Sequence, residues 1–199
     1  MPKIVDHAKR KKLLAEATWK IISEQGIQHA TSRTIAKEAG LSQGALRHYF
    51  PTQESLLIFA MELVKEKVVI RLTNLEEKEL TPAERIVEYL VELIPTDQQT
   101  LLEMEVWFAF VTFGKTHQGF DINYEELQTA IKDCIVYLKK EGLLREVDEE
   151  LEKEKLYAFM NGMALNLYLE PQKMDRERSK EMIKDYLKSI IKKPPAKAE

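Results

Sequence analysis

Apolar residues recur along this chain with the spacing of helix faces. Leu13, Leu14, Ala17, Ile21 and Ile22 form one stripe, and the pattern predicts a first helix from Asp6 to about Gln25, stopped by Gly26. Thr31 offers a cap to a short helix containing Ile35, Ala36 and Ala39, and Gly40 ends it. Ser42 caps the next. Only Gly40 and Leu41 separate Ala39 from Ser42, so two short helices meet in a tight turn, where glycine supplies a backbone conformation that costs other residues more. This is a helix-turn-helix pattern. Pro51 closes its second helix, and Thr52-Gln53-Glu54 opens a longer fourth one with apolar Leu56, Leu57, Ala60, Leu63 and Val64. That helix is expected to link head to body.

Further on, Thr81-Pro82-Ala83-Glu84 combines an N-cap, a first-position proline and a capping-box glutamate. Similar boxes are read at Thr96 with Gln99 and at Asn123 with Glu126. Gly142 ends the helix begun near Asn123, Asp148 opens another running to Leu169 before Pro171, and a last helix runs from about Asp175 to Lys192. Pro194 and Pro195 stop it, with nothing apolar beyond. The expectation is an all-α fold of nine helices. Residues 1–51 form a three-helix DNA-reading head, 52–193 a helical body and 194–199 a disordered tail.

Composition agrees, with only seven Pro and seven Gly in 199 residues. Cys134 is the single cysteine and reads as a small core residue, since no His or Cys accompanies it. Neither a signal peptide nor a membrane span is apparent, so a cytoplasmic protein is expected. The net charge of −3 conceals an asymmetry: residues 1–53 hold nine Lys or Arg against four Asp or Glu, whereas the remainder holds 21 against 29. The N-terminal end suits phosphate and the rest repels it.

The run Thr31-Ser-Arg-Thr-Ile-Ala-Lys-Glu-Ala-Gly-Leu-Ser-Gln-Gly-Ala-Leu-Arg-His-Tyr-Phe-Pro-Thr-Gln-Glu-Ser-Leu-Leu57 closely resembles the DNA-binding head of TetR-family repressors. The match includes the Ala39-Gly40-Leu41-Ser42 turn, Gly44, and the Leu46 and Tyr49-Phe50 anchors. The nine-helix count extends the likeness over the whole chain, and Arg47-His48-Tyr49-Phe50 looks most like the branch with a BetI-type C-terminal domain. The resemblance implies a nine-helix regulator with a ligand-binding and dimerising body. In the head, small Gly44 and Ala45 after Ser42 would let the helix N-terminus approach the major groove closely. Gln43 can pair with adenine and Arg47 with guanine, while by family analogy Ser32, Arg33, Thr34, His48 and Tyr49 reach phosphates. A solvated cation remains the alternative for Arg47, and a half-buried packing residue for Tyr49. Where the family commonly has lysine after the cap of the fourth helix, this chain has Gln53. Backbone amides and the Gln53 amide are left to meet phosphate there, so weaker salt dependence is expected.

From Leu101 to Phe113 apolar residues surround nearly the whole helix. The resemblance implies a ligand cavity in this region. The candidates are Glu103, Met104, Trp107, Phe108, Phe110 and Val111, with Tyr157, Met160 and Met163 from a later helix; an ordinary packed core is the alternative. Glu103 and Trp107, four apart, share a face and could jointly hold a cation, with a solvated Glu103 as the alternative. The resemblance also implies that the last two helices pack against a second subunit. Ala158, Gly162 and Leu165 form one candidate strip and Met182, Tyr186 and Ile190 another, with burial inside the subunit as the alternative. No cofactor is expected. The expected partners are a palindromic DNA operator, a small-molecule effector and a second copy of the chain, without a membrane. A protein-binding adaptor and a helical enzyme are the rival readings; the scattered His7, His29, His48 and His117 and the absence of a phosphate loop or metal-ligand spacing weigh against the enzyme.

Overall fold

Nine α-helices are present among the described residues, 7–116 and 125–192 of a computed structural model. They are α1 (His7–Gln25), α2 (Ser32–Glu38), α3 (Gln43–Tyr49), α4 (Gln53–Glu76), α5 (Pro82–Glu92), α6 (Gln98–Thr116), α7 (Glu125–Lys140), α8 (Glu149–Leu169) and α9 (Arg176–Ile190). A short 3-10 turn at Ile27–His29, which the apolar pattern does not announce, joins α1 to α2. The only β feature among the described residues is an isolated antiparallel bridge between Leu144 and Ile191.

Most helix starts follow the local chemistry of the sequence. Ser42, Thr81, Asp148 and Asp175 each accept a backbone N–H from three residues on. At Thr81 the Glu84 carboxylate returns the bond to the Thr81 N–H, 2.9 Å away. The start of α6 differs from expectation. Asp97 and Thr100 close the box, with Thr100 N–H donating to Asp97 Oδ1 (2.8 Å) and Asp97 N–H to Thr100 Oγ1 (3.0 Å). The expected cap, Thr96, instead accepts from Arg176 Nη1 (3.3 Å). Asn123 of the expected Asn123–Glu126 box, Asp6 and the tail lie outside the described residues. α9 ends at Ile190 rather than Lys192, because Ile191 leaves the helix to bridge Leu144.

Packing divides the chain into two compact units, Met1–Val69 with Leu101–Ile122 and Ile70–Thr100 with Asn123–Glu199. In the first, Leu14, Ala17, Ile21 and Ile22 of α1 form a core with Ile35 and Ala36 of α2, Leu46 of α3, and Leu56 and Leu57 of α4. A second cluster joins Ala15 and Trp19 to Ala60, Met61, Leu63 and Val64 of α4 and Val106 of α6. The Trp19 indole donates to the Ala60 carbonyl (2.9 Å), and Lys67 Nζ lies 4.3 Å from the centre of its ring. The early part of α4 thus belongs to the core of the head, which is why packing does not break at residue 51. In the second unit, α7 packs on α8, and α5 on both α7 and α9. Cys134 is buried there; burial first, then the charge of Asp133, pushes its thiol up to about 12, so it is protonated packing and not a nucleophile.

Candidate nucleic-acid interface

α3 is built from short-range bonds and one buried edge. Gly40 ends α2 at φ 65°, donating to the Lys37 carbonyl (3.1 Å), while Leu41 N–H donates to the Ala36 carbonyl (2.8 Å). Two residues later, Ser42 Oγ accepts from Ala45 N–H (3.1 Å) and starts α3. Leu46 and Phe50 are 0% and 4% exposed and fasten α3 into the head's core. Gln43, Gly44, Arg47 and His48 are exposed, and Ala45 and Tyr49 half-buried. Anchoring one edge therefore leaves the other open with an amide, a guanidinium and an imidazole available to base edges or phosphates. A Cβ built on Gly44 would meet nothing nearer than Ser42 Oγ at 3.9 Å, so the protein itself leaves room for a side chain there.

The flanking candidates divide. Arg33 is exposed and Ser32 half-buried in the first turn of α2. Thr34 serves the cap: its N–H donates to Thr31 Oγ1 (3.2 Å), and its hydroxyl donates to the His29 carbonyl and accepts from Thr31 N–H (3.1 Å). Gln53 makes a bond within the head as well. Its amide nitrogen donates one hydrogen to the Ala30 carbonyl (2.8 Å), so this half-buried side chain ties the start of α4 to the entry of α2, and its second amide hydrogen is not used by that bond. His7, one of the histidines scattered along the sequence, lies with its ring 5.5 Å from Tyr49 and 6.3 Å from His48. Only contact between residues far apart in sequence could reveal that cluster.

Residues 14–58 match the family described as bacterial regulatory proteins, tetR family, and residues 82–192 match the C-terminal domain of the BetI-type transcriptional repressor. The chain belongs to the TetR family. This TetR-family chain is 44% identical over 192 residues to the HTH-type transcriptional regulator PksA of Bacillus subtilis strain 168, covering 96% of this chain and 94% of that protein. It is 30% identical over 198 residues to the HTH-type transcriptional regulator BetI of Proteus mirabilis, covering 94% of each. Among solved structures, a transcriptional regulator from Saccharomonospora viridis in complex with choline aligns with a TM-score of 0.77 over 94% of this chain and all of that one; at 19% identity the likeness is one of fold. The helix-turn-helix of this TetR-family regulator is its DNA-binding element.

The other predicted residues of the TetR-family chain fall in both units. On α6, Trp107 and Phe110 pack against the α1–α4 cluster, and Phe110 also against the head's core. Both side chains are half-buried, so each meets the core on one side. Glu103 is 4% exposed and Val111 9%, with Met104 and Phe108 half-buried. On α8, Met160 and Met163 are buried and Tyr157 half-buried. Of the dimer candidates, Ala158, Gly162 and Leu165 are exposed and Met182 and Tyr186 half-buried. Ile190 is 3% exposed and belongs to the subunit's own core, which removes it from the strip. Tyr186 stacks on Phe159, and its hydroxyl donates to Glu152 Oε2 (3.3 Å); burial, then the Glu152 charge, raises its pKa. Among the described residues no helix is long and apolar enough to cross a membrane.

Proposed function

We propose that this protein is a ligand-responsive repressor that binds a palindromic operator as a homodimer and is released by a small-molecule effector. The observation that carries the reading is the open edge of α3, where Gln43, Gly44, Arg47 and His48 are exposed while Leu46 and Phe50 hold the helix in the core. One such helix has few base contacts, and two related by symmetry read a longer and more selective site. Functionally, residues 1–51 read DNA and 52–193 bind ligand and partner. The exposed strip Ala158–Gly162–Leu165 and the half-buried Met182 and Tyr186 are the proposed contact with the second copy.

A cationic effector is supported by the choline bound to the S. viridis regulator and by Glu103, one turn from Trp107 on α6. Ligand binding favours a spacing of the two heads that no longer fits DNA, and α4, one helix from the head's core to Glu76, carries the change. Sequence-selective capture of genomic fragments by the full chain, followed by titration with choline and larger quaternary ammonium ions, tests this. A recovered palindrome whose affinity falls on adding ligand supports the reading; absence of sequence-selective binding favours the protein-binding adaptor. Calorimetry on Glu103→Gln checks the cation site, and unchanged affinity removes Glu103 from it.

A further inference from the structure

Glu105 of α6 holds a polar atom that the chain leaves without a partner. Its Oε2 oxygen is shut off from solvent and accepts no hydrogen bond from the described residues, although the residue as a whole is only half-buried. The neighbours that share its side of α6, at i−4, i−3, i+3 and i+4, are Leu101, Leu102, Phe108 and Ala109, all half-buried and none with a polar or charged side chain. The helix thus offers this carboxylate no lysine or arginine. Two residues away and on the opposite side of α6, Glu103 is 4% exposed and interacts within the chain. A carboxylate oxygen taken out of water without a donor weakens the fold, and buried polar atoms of folded proteins nearly all have partners. An acceptor held at that cost in an apolar setting suits a donor that arrives from outside the chain.

We infer that Glu105 Oε2 accepts a hydrogen bond from the effector, and that the effector is an ammonium ion with at least one N–H and an apolar chain; the inference rests on the ligand-responsive regulator proposed above. Charge alone does not complete this site. A tetraalkylammonium ion carries its charge behind carbon, has no N–H, and leaves the oxygen unsatisfied. A primary or secondary ammonium brings the same charge together with a donor, and such charge-assisted bonds are the stronger kind. Leu101, Leu102, Phe108 and Ala109 give the hydrocarbon part of the ion an apolar surface along the same side of the helix. Other occupants fit less well. A divalent metal ion takes several oxygen ligands, and no group of three or more metal-binding side chains occurs among the described residues. A fixed water needs two to four polar partners, which the α6 neighbours of Glu105 do not supply.

The test uses the full-length chain and two ions that share one hydrocarbon chain, hexylammonium and hexyltrimethylammonium. By calorimetry the parent should bind hexylammonium about tenfold or more tightly than its trimethyl counterpart, and Glu105→Leu should lose that preference by weakening hexylammonium alone. Without ligand, the melting temperature of Glu105→Leu should equal or exceed the parent's, because the unpartnered oxygen is gone. An acceptor that serves the fold would give a lower one. Glu105→Gln, nearly the same shape without the charge, repeats the comparison if the leucine variant does not fold. Three results overturn the assignment: no binding of hexylammonium by the parent, the same preference in parent and variants, or a lowered melting temperature in Glu105→Leu with both ions weakened alike. Operator affinity, read on the captured fragment, separates the site from the regulator. A preference that depends on Glu105 without loss of operator affinity keeps the binding site and removes its effector role. Operator release by hexyltrimethylammonium from parent and Glu105→Leu alike keeps the regulator and removes Glu105.

Discussion

Gly44 separates what the fold needs from what a DNA partner needs. A Cβ at this position meets only Ser42 Oγ, at an ordinary 3.9 Å, and glycine in a helix is about 0.5–1 kcal/mol less favourable than alanine. Gly44→Leu should therefore leave the melting temperature unchanged or raised, while operator affinity falls at least about tenfold, because bulk holds α3 off the groove. A matched loss of stability and affinity would instead place Gly44 in the structure. Gln53 behaves in the opposite sense. Its bond to the Ala30 carbonyl is worth about 1 kcal/mol. Gln53→Ala should lower denaturant stability by that amount and leave the slope of log affinity against log salt unchanged, since no phosphate charge pair is lost. A fall in operator affinity of similar size at every salt concentration would return Gln53 to the phosphate contacts.

Among the elements, α9 depends most on distant residues. The Arg145 guanidinium, between α7 and α8, donates to the carbonyls of Ile191 (2.6 Å), Ser189 (3.2 Å) and Lys188 (3.2 Å), satisfying the last turn and opposing its partial negative charge. Arg145→Met should cost about 1–2 kcal/mol in urea unfolding. At its other end, Arg176 meets Glu92 (2.7 Å) and Glu88 (3.5 Å), Lys180 also pairs with Glu88, and Arg71 of α4 meets Glu92 (3.2 Å). This cluster joins the end of α4, α5 and the start of α9 inside one unit. Burial alone would raise the Glu88 carboxyl, but the Lys180 hydrogen bond and the charges of Lys180 and Arg176 outweigh it and hold it below its ordinary 4.5. A carboxyl lowered in the folded state adds stability that is fully present above 4.5 and lost as pH falls through the folded value. Thermal melts from pH 6 downward should show this loss, and Glu88→Gln should flatten part of it. An equal acid dependence in the variant would rule out this role for Glu88.

For the whole molecule, the symmetric pair of heads in the proposed homodimer makes a geometric demand on DNA. Half-sites must lie about one helical turn, 34–36 Å, or a multiple of it apart to present the same face to both α3 helices. Inserting five base pairs, about half a turn, between the half-sites of the operator should lower affinity by at least about tenfold, and inserting ten should restore part of it. Equal tolerance of both insertions in a gel-shift series would show that the heads read DNA independently.

How much of this was legible in the sequence depended on distance along the chain. The caps at Ser42, Thr81, Asp148 and Asp175 close over three residues, and the Gly40 turn over a few more, so the helix-turn-helix and its open reading edge were readable directly. Periodicity likewise named the buried side of α4, where Leu56, Leu57, Ala60, Leu63 and Val64 are all buried. It did not name what would lie against each face. Leu13 repeats in register with the core yet is 44% exposed, and Ile190 repeats with Met182 and Tyr186 yet turns inward. The choice of Asp97 over Thr96 as cap goes with Arg176, eighty residues away, bonding the Thr96 hydroxyl. The bond from Gln53 to Ala30 and the packing of Trp107 and Phe110 against the α1–α4 cluster likewise join residues far apart in sequence. A local pattern sets which residues share a surface, because backbone geometry repeats every few residues; only the folded chain decides whether that surface meets core, another polar group or solvent.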